Sequence, residues 1–228
     1  MLKVDFSVAK SSSKPSRRSA PPAAITRLWL IRHAEVEVRY QKTFGGRIDM
    51  NLSPRGRRQA EMLAAHLQGK TIDAVYASPM KRVQQTLAPL LKNGAPSPTV
   101  LPGLREVDFG DWTGYNWFEV QKKFGVHPYD WLDQIGRGAV PHGESGDQFR
   151  ARVEPCLFDI IGRHPGGTAA IFCHGGVIRM ILAILLELPL PKTNSFEIEY
   201  ASVTQVALHP HLNEIELLNF TPWRDLVA

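Results

Sequence analysis

Three stretches of this chain follow one pattern, and that pattern leaves few folds open. In "RLWLIRH", residues 27–33, an apolar run stops at Arg32 and His33. In "IDAVYASPMKR", residues 72–82, an apolar run meets Ser78 and Pro79, with Arg82 one turn beyond. In "TAAIFCHGGVIRM", residues 168–180, an apolar run ends at His174, followed by Gly175 and Gly176. Each reads as a buried strand passing through a loop into a helix. The segments between are amphipathic. Over residues 53–68, Ser53 can cap and Pro54 can take the first helical position, and Ala60, Leu63, Ala64 and Leu67 recur at helical spacing. Val83, Leu87 and Leu90 repeat the pattern over 80–91. Phe149, Val153, Leu157, Ile160 and Ile161 repeat it over 147–162. Strands alternating with such helices predict βαβ units, an α/β fold and a mostly parallel sheet. Residues 202–208 and 215–220 read as strands near a sheet edge. There is no internal repeat, and residues 25–228 read as a single domain.

In an open parallel sheet, ligands bind outside the carboxyl ends of the strands. Arg32, His33, Arg82 and His174 all fall at or just past such ends. Two guanidiniums and two imidazoles beside helix N-termini suit a doubly charged oxyanion, phosphate above all. A neutral imidazole is also a nucleophile, so His33 can take a phosphoryl group if its other ring nitrogen is held by a backbone carbonyl. The leaving oxygen needs a proton. The turn-rich "LREVDFGDWTG" offers Glu106, Asp108 and Asp111 as sources.

Composition removes several alternatives. The net charge is +5, but Lys3, Lys10, Lys14, Arg17 and Arg18 stand against Asp5 alone within residues 1–24. The body is therefore nearly neutral, which argues against a nucleic-acid surface. The Ser-, Pro- and Arg-rich "AKSSSKPSRRSAPPAA" predicts a basic, disordered tail over 1–24, with "LKVDFSV" as the one place for a short edge strand. The tail lacks the apolar segment of a secretory signal. The longest apolar run, "VIRMILAILLEL", carries Arg179 and is shorter than the ~20 residues that cross a bilayer. No membrane association follows. The 2 cysteines, Cys156 and Cys173, make no CxxC pair, so neither zinc nor a disulfide framework is suggested and a reducing, cytoplasmic setting is expected. Cys173 reads as inert core. His66, His127, His142, His164, His209 and His211 read as non-catalytic.

Six motifs occur in order: "LIRHAE", "FGGRIDMNLSPRGRRQA", "VYASPMKRVQQT", "LREVDFGDWTG", "PHGES" and "IFCHGGVIRM". Over residues 27–220 the chain resembles the histidine phosphatase superfamily, the branch of phosphoglycerate mutases and cofactor-independent small phosphatases. The resemblance implies a three-layer α/β/α sandwich and a reaction without metal or cofactor. It implies that His33 is phosphorylated, that Arg32, Arg82 and His174 bind the phosphoryl group, and that Glu106 is the proton donor ahead of Asp108 and Asp111. Gly45, Gly46 and Gly175 would line the substrate side. Glu144 and Ser145, from "PHGES", would lie at the mouth. Three positions depart from the family pattern. Ala34 stands where Gly is frequent, and Val36 and Arg39 stand where a hydroxyl and an amide often meet the phosphoryl oxygens. Arg39 is accordingly a candidate for a second anionic group on the substrate. The segment from Trp112 to "PHGES" is too short for the insertion of the bisphosphoglycerate-dependent mutases. A hydrolase of small phosphorylated metabolites is the first expectation, similar to α-ribazole and broad-specificity phosphatases. A mutase, or a low-turnover binding member of the fold, is the alternative. Trp112, Tyr115, Trp117, Phe118 and Trp131 fall in the segment expected to roof the site. The sequence does not set the oligomeric state; a homodimer is one option.

Overall fold

The computed structural model describes residues 24–226. The predicted tail and the "LKVDFSV" strand therefore lie outside the described residues, apart from Ala24. Strand β1 (Thr26–Arg32) leads through a 3₁₀ turn at Val38–Tyr40 to helix α1 (Pro54–Leu67). Strand β2 (Ala74–Ala77) leads to α2 (Lys81–Lys92), and the short β3 (Thr99–Val100) follows. Helices α3 (Trp117–Phe124) and α4 (Trp131–Gly136) lie in the roof segment. Then come α5 (Gly146–Arg163), β4 (Thr168–Cys173), α6 (Gly175–Leu185), β5 (Val203–Leu208), β6 (Asn213–Phe220) and a final turn of helix, α7 (Pro222–Asp225).

The helix starts obey their local chemistry. Ser53 Oγ accepts the Gly56 amide at 2.9 Å, and Pro54 takes the first helical position. Ser145 and Gln148 form a reciprocal capping box at the start of α5. Asn116 and Glu119 do the same for α3. Helix α6 differs: His174 stands at its N-cap and makes no side-chain cap.

The six strands run in the order β3-β2-β4-β1-β5-β6. The first four are mutually parallel, and β5 runs antiparallel to both of its neighbours, β1 and β6. Period-two alternation sorts the strand side chains onto the two faces. Leu28 and Leu30 point into a core built with α5 and α6, where Phe149, Val153, Leu157 and Ile178 pack. Trp29 and Ile31 point into the opposite core with Leu63 and Leu67 of α1 and Val83 and Leu87 of α2. This is a three-layer sandwich around a mixed sheet. The two C-terminal strands lie near a sheet edge as expected: β6 is one edge strand, β3 the other, and β5 is enclosed between β1 and β6. The apolar run of β5, with Val203, Val206 and Ala207 wholly buried, is what an enclosed strand needs.

Candidate active site

The pairing of β1 with β4 brings the two imidazoles together. The strands are parallel, with Arg32 opposite Cys173. The next residues on each strand are His33 and His174, and the His33 amide donates to Cys173 O at 3.0 Å. Their ring centroids lie 5.3 Å apart. Strand β2, on the other side of β4, delivers Ser78 at its end and Arg82 in the first turn of α2. All four residues expected at strand ends thus meet at one edge of the sheet.

The hydrogen bonds assign the tautomer of the His33 ring. Arg82 Nε donates to His33 Nε2 at 3.2 Å, so Nε2 carries the lone pair. His33 Nδ1 then carries the proton and donates to Ala34 O at 2.9 Å. Burial holds the His33 pKa well below its ordinary value, and the Arg82 and Arg32 cations push it further down. His174 is depressed likewise, first by burial and then by Arg82. His174 Nε2 meets Ser78 Oγ at 2.8 Å. Ser78 Oγ also accepts the Met80 amide at 3.3 Å. His174 Nδ1 is buried with no partner among the described residues.

Arg82 spends its other donors on the loop opposite. Its Nη1 donates to Ile48 O and its Nη2 to Gly46 O, each at 2.9 Å. Burial lowers its pKa to about 10, which still leaves a cation at neutral pH. Arg32 Nη1 donates to Ile198 O at 2.6 Å, and its guanidinium lies 4.1 Å from the Tyr200 ring centre. Glu106 accepts the Val107 amide at 3.0 Å and the Gly176 amide, at the start of α6, at 3.2 Å. The approach is so close that a Cβ at Gly176 would collide with the carboxylate.

Two residues that sequence reasoning passed over belong to this cluster. Arg179 donates to Gly175 O at 3.2 Å and to Phe196 O at 2.9 Å. Burial and the neighbouring Arg32 bring its pKa to about 10. It stands four residues after Gly175, hence on the same helix face, and it is the one charge within "VIRMILAIL", so the signal was present. Tyr200 sits between Arg32 and His33, its ring centre 5.6 Å from that of His33. No periodicity or motif marked it.

These groups form the floor of a cleft of about 490 Å³. Gly45, Gly46 and Gly175 line it, as do Trp117 and Trp131 from the roof segment. Other expectations fail for visible reasons. Arg39 does not line the cleft; it is mostly exposed, paired with Glu37 at 3.3 Å and laid over the Tyr40 ring. Ser145 does not line it either, because its hydroxyl is spent on the Gln148 amide. Glu144 is held by Arg152 at 2.6 Å. Asp108 and Asp111, ranked behind Glu106, pair with Arg47 and His142 and do not line the cleft. Within the roof, Trp112 is core and Phe118 is 80% exposed. Val36 does line the cleft, and it is only 2% exposed. Among the described residues, no three His, Cys, Asp or Glu side chains gather as metal ligands, and no helix is long and apolar enough to cross a membrane.

Buried arginines and imidazoles gathered at strand ends, with the Glu106 carboxylate lining the same cleft, are the groups that a phosphoryl-handling α/β enzyme would need. The family model "Histidine phosphatase superfamily (branch 1)" matches residues 28–221, and the chain belongs to that family of phosphatases. It is 29% identical over 197 residues to phosphoserine phosphatase 1 of Hydrogenobacter thermophilus, covering 86% of this chain and 93% of that one. It is 34% identical over 167 residues to a broad-specificity phosphatase of Saccharomyces cerevisiae, covering 69% of each. Mycobacterial glucosyl-3-phosphoglycerate phosphatase shares the fold, with a TM-score of 0.77, 24% identity, and coverage of 86% of this chain and 99% of that one.

Proposed function

We propose that the protein is a metal-independent phosphomonoesterase acting on a small phosphorylated metabolite through a phosphohistidine at His33. The observation that carries this reading is the bonding of the His33 ring. Its Nδ1 proton is committed to Ala34 O, and its Nε2 lone pair faces the cluster of cations. In the first step Nε2 attacks phosphorus and the bond to the ester oxygen breaks. Arg32 and Arg82 neutralise charge on the phosphoryl oxygens, and neutral His174 donates from Nδ1. The departing oxygen takes a proton from Glu106. In the second step Glu106, now a carboxylate, takes a proton from water as that water attacks phosphorus. The N–P bond breaks, Nε2 recovers its lone pair, and inorganic phosphate leaves. The two free cysteines support a reducing, cytoplasmic setting for this activity.

Hydrolysis of p-nitrophenyl phosphate in excess EDTA, compared between the protein and His33→Ala, tests the reading. Turnover that ignores EDTA and vanishes in the variant is expected. A phosphoenzyme trapped in an alkaline quench, stable to base and lost on acidification, should accompany it. Substantial turnover by His33→Ala would refute the nucleophile.

A further inference from the structure

The phosphomonoesterase reading, on which this inference rests, leaves the alcohol part of the substrate undefined. We infer that this alcohol carries a planar ring and no carboxylate.

The charge census of the cleft supplies the first part of the argument. Its cations are Arg32, Arg82 and Arg179, and no lysine lines it. All three stand on the phosphoryl floor and are engaged there. Arg82 gives its donors to His33, Ile48 O and Gly46 O. Arg179 gives both Nη groups to backbone carbonyls, and Arg32 gives Nη1 to Ile198 O. A phosphoryl group claims what remains of these cations, so a carboxylate on the alcohol finds no separate cation. What it does meet on the outer wall is Glu197, an exposed carboxylate whose nearest polar partner is the Asn219 amide at 3.4 Å. Like charges there penalise an anionic alcohol.

The second part is shape. Above the floor the cleft is walled by Tyr40, Phe44, Trp117 and Tyr129. Trp117 lies nearly parallel to Phe44, with interplanar angle 19°, and stands edge-on to Tyr129 at 80°. Tyr129 is 67% exposed, so its ring is available to a ligand. The wall is also held in place: Asn194 Nδ2 donates to Tyr129 O at 2.9 Å, tying the roof to the turn before β5. Aromatic faces held at the rim of an anion site receive a ring by stacking, and they offer little to a short polar chain.

The test compares kcat/KM for benzyl phosphate and adenosine 5′-monophosphate with that for O-phosphoserine and glycerol phosphate. All four are alkyl phosphomonoesters, so the comparison reads recognition more than leaving-group acidity. The ring-bearing pair should be favoured by about tenfold or more. Tyr129→Ala and Trp117→Ala should each shrink that ratio. The exposed Tyr129 keeps the test informative should Trp117→Ala fold poorly. A preference for O-phosphoserine, or a ratio unmoved by Tyr129→Ala, overturns the inference. Binding of the same four compounds to His33→Ala, followed by tryptophan fluorescence, separates this inference from the hydrolase reading. Failure of turnover with tighter binding of the ring-bearing pair sinks only the hydrolase. Tighter binding of O-phosphoserine sinks the ring.

Discussion

A buried histidine between two guanidiniums has its protonation state decided by its surroundings. Both His33 and His174 have folded pKa values well below their ordinary range, because burial and neighbouring cations penalise the imidazolium. The unfolded chain titrates near ~6.5, so below that pH the unfolded state binds more protons than the native state. Stability is therefore full above about pH 6.5 and falls as pH drops below it. Urea titrations at pH 7.5, 6.5 and 5.5 should show this loss, and His174→Gln should flatten it. At Glu106 the expectation concerns chemistry. Glu106→Gln should slow hydrolysis of alkyl esters by ~10²–10⁴-fold, and slow p-nitrophenyl phosphate far less, because that leaving group needs little protonation. Equal losses on both would exclude proton donation. These two imidazoles also show how uneven the sequence signal is. Arg-His at the end of an apolar run was readable, whereas the partner of His174 Nε2, Ser78 Oγ, lies 96 positions away.

At the scale of elements, α6 and the segment 196–200 form one device. Arg179 on α6 holds Phe196 O; two residues on, Ile198 O holds Arg32, and two residues further Tyr200 backs both Arg32 and His33. Arg179→Gln should loosen this strap and misplace Arg32. A charged hydrogen bond is worth ~1.5–3 kcal/mol, so kcat/KM should fall by about 10- to 100-fold. Orthovanadate inhibition should weaken in parallel while the melting temperature stays within a few degrees. Unchanged vanadate affinity would show that the strap does not set Arg32. The elements themselves differed in legibility. Helices α1, α2 and α5 were readable because Leu63, Leu87 and Phe149 sit on wide apolar stripes. Helices α3 and α4 were not, because they are short and their capping signals, Asn116 and Glu119 included, lie within an aromatic-rich loop.

At the scale of the whole molecule, the sheet separates two cores. Phe149 of α5 is fully buried on one face. Phe149→Ala should cost about 3–5 kcal/mol of unfolding free energy, measured by chemical denaturation. The folded fraction should retain its active-site chemistry, because no strand end moves. A loss of turnover beyond the loss of folded protein would show that this core also sets the site. The mixed sheet places β5 inside rather than at an edge. The local pattern of Val203, Val206 and Ala207 records burial, but burial does not state which strands lie on either side.

By itself, the sequence determined the alternation of the main strands and helices, the helix start at Ser53, and the delivery of Arg32, His33, Arg82 and His174 to strand ends. All of these follow from short-range periodicity, capping chemistry and chain connectivity. Tertiary structure alone decided that Arg39 faces solvent beside Glu37 while Tyr200 stacks on Arg32. It alone decided that Ser78 meets His174, and that Glu197 and the Trp117–Tyr129 wall share a cleft. Those are contacts between residues distant in sequence, and their energy depends on distances that exist only once the sheet has paired.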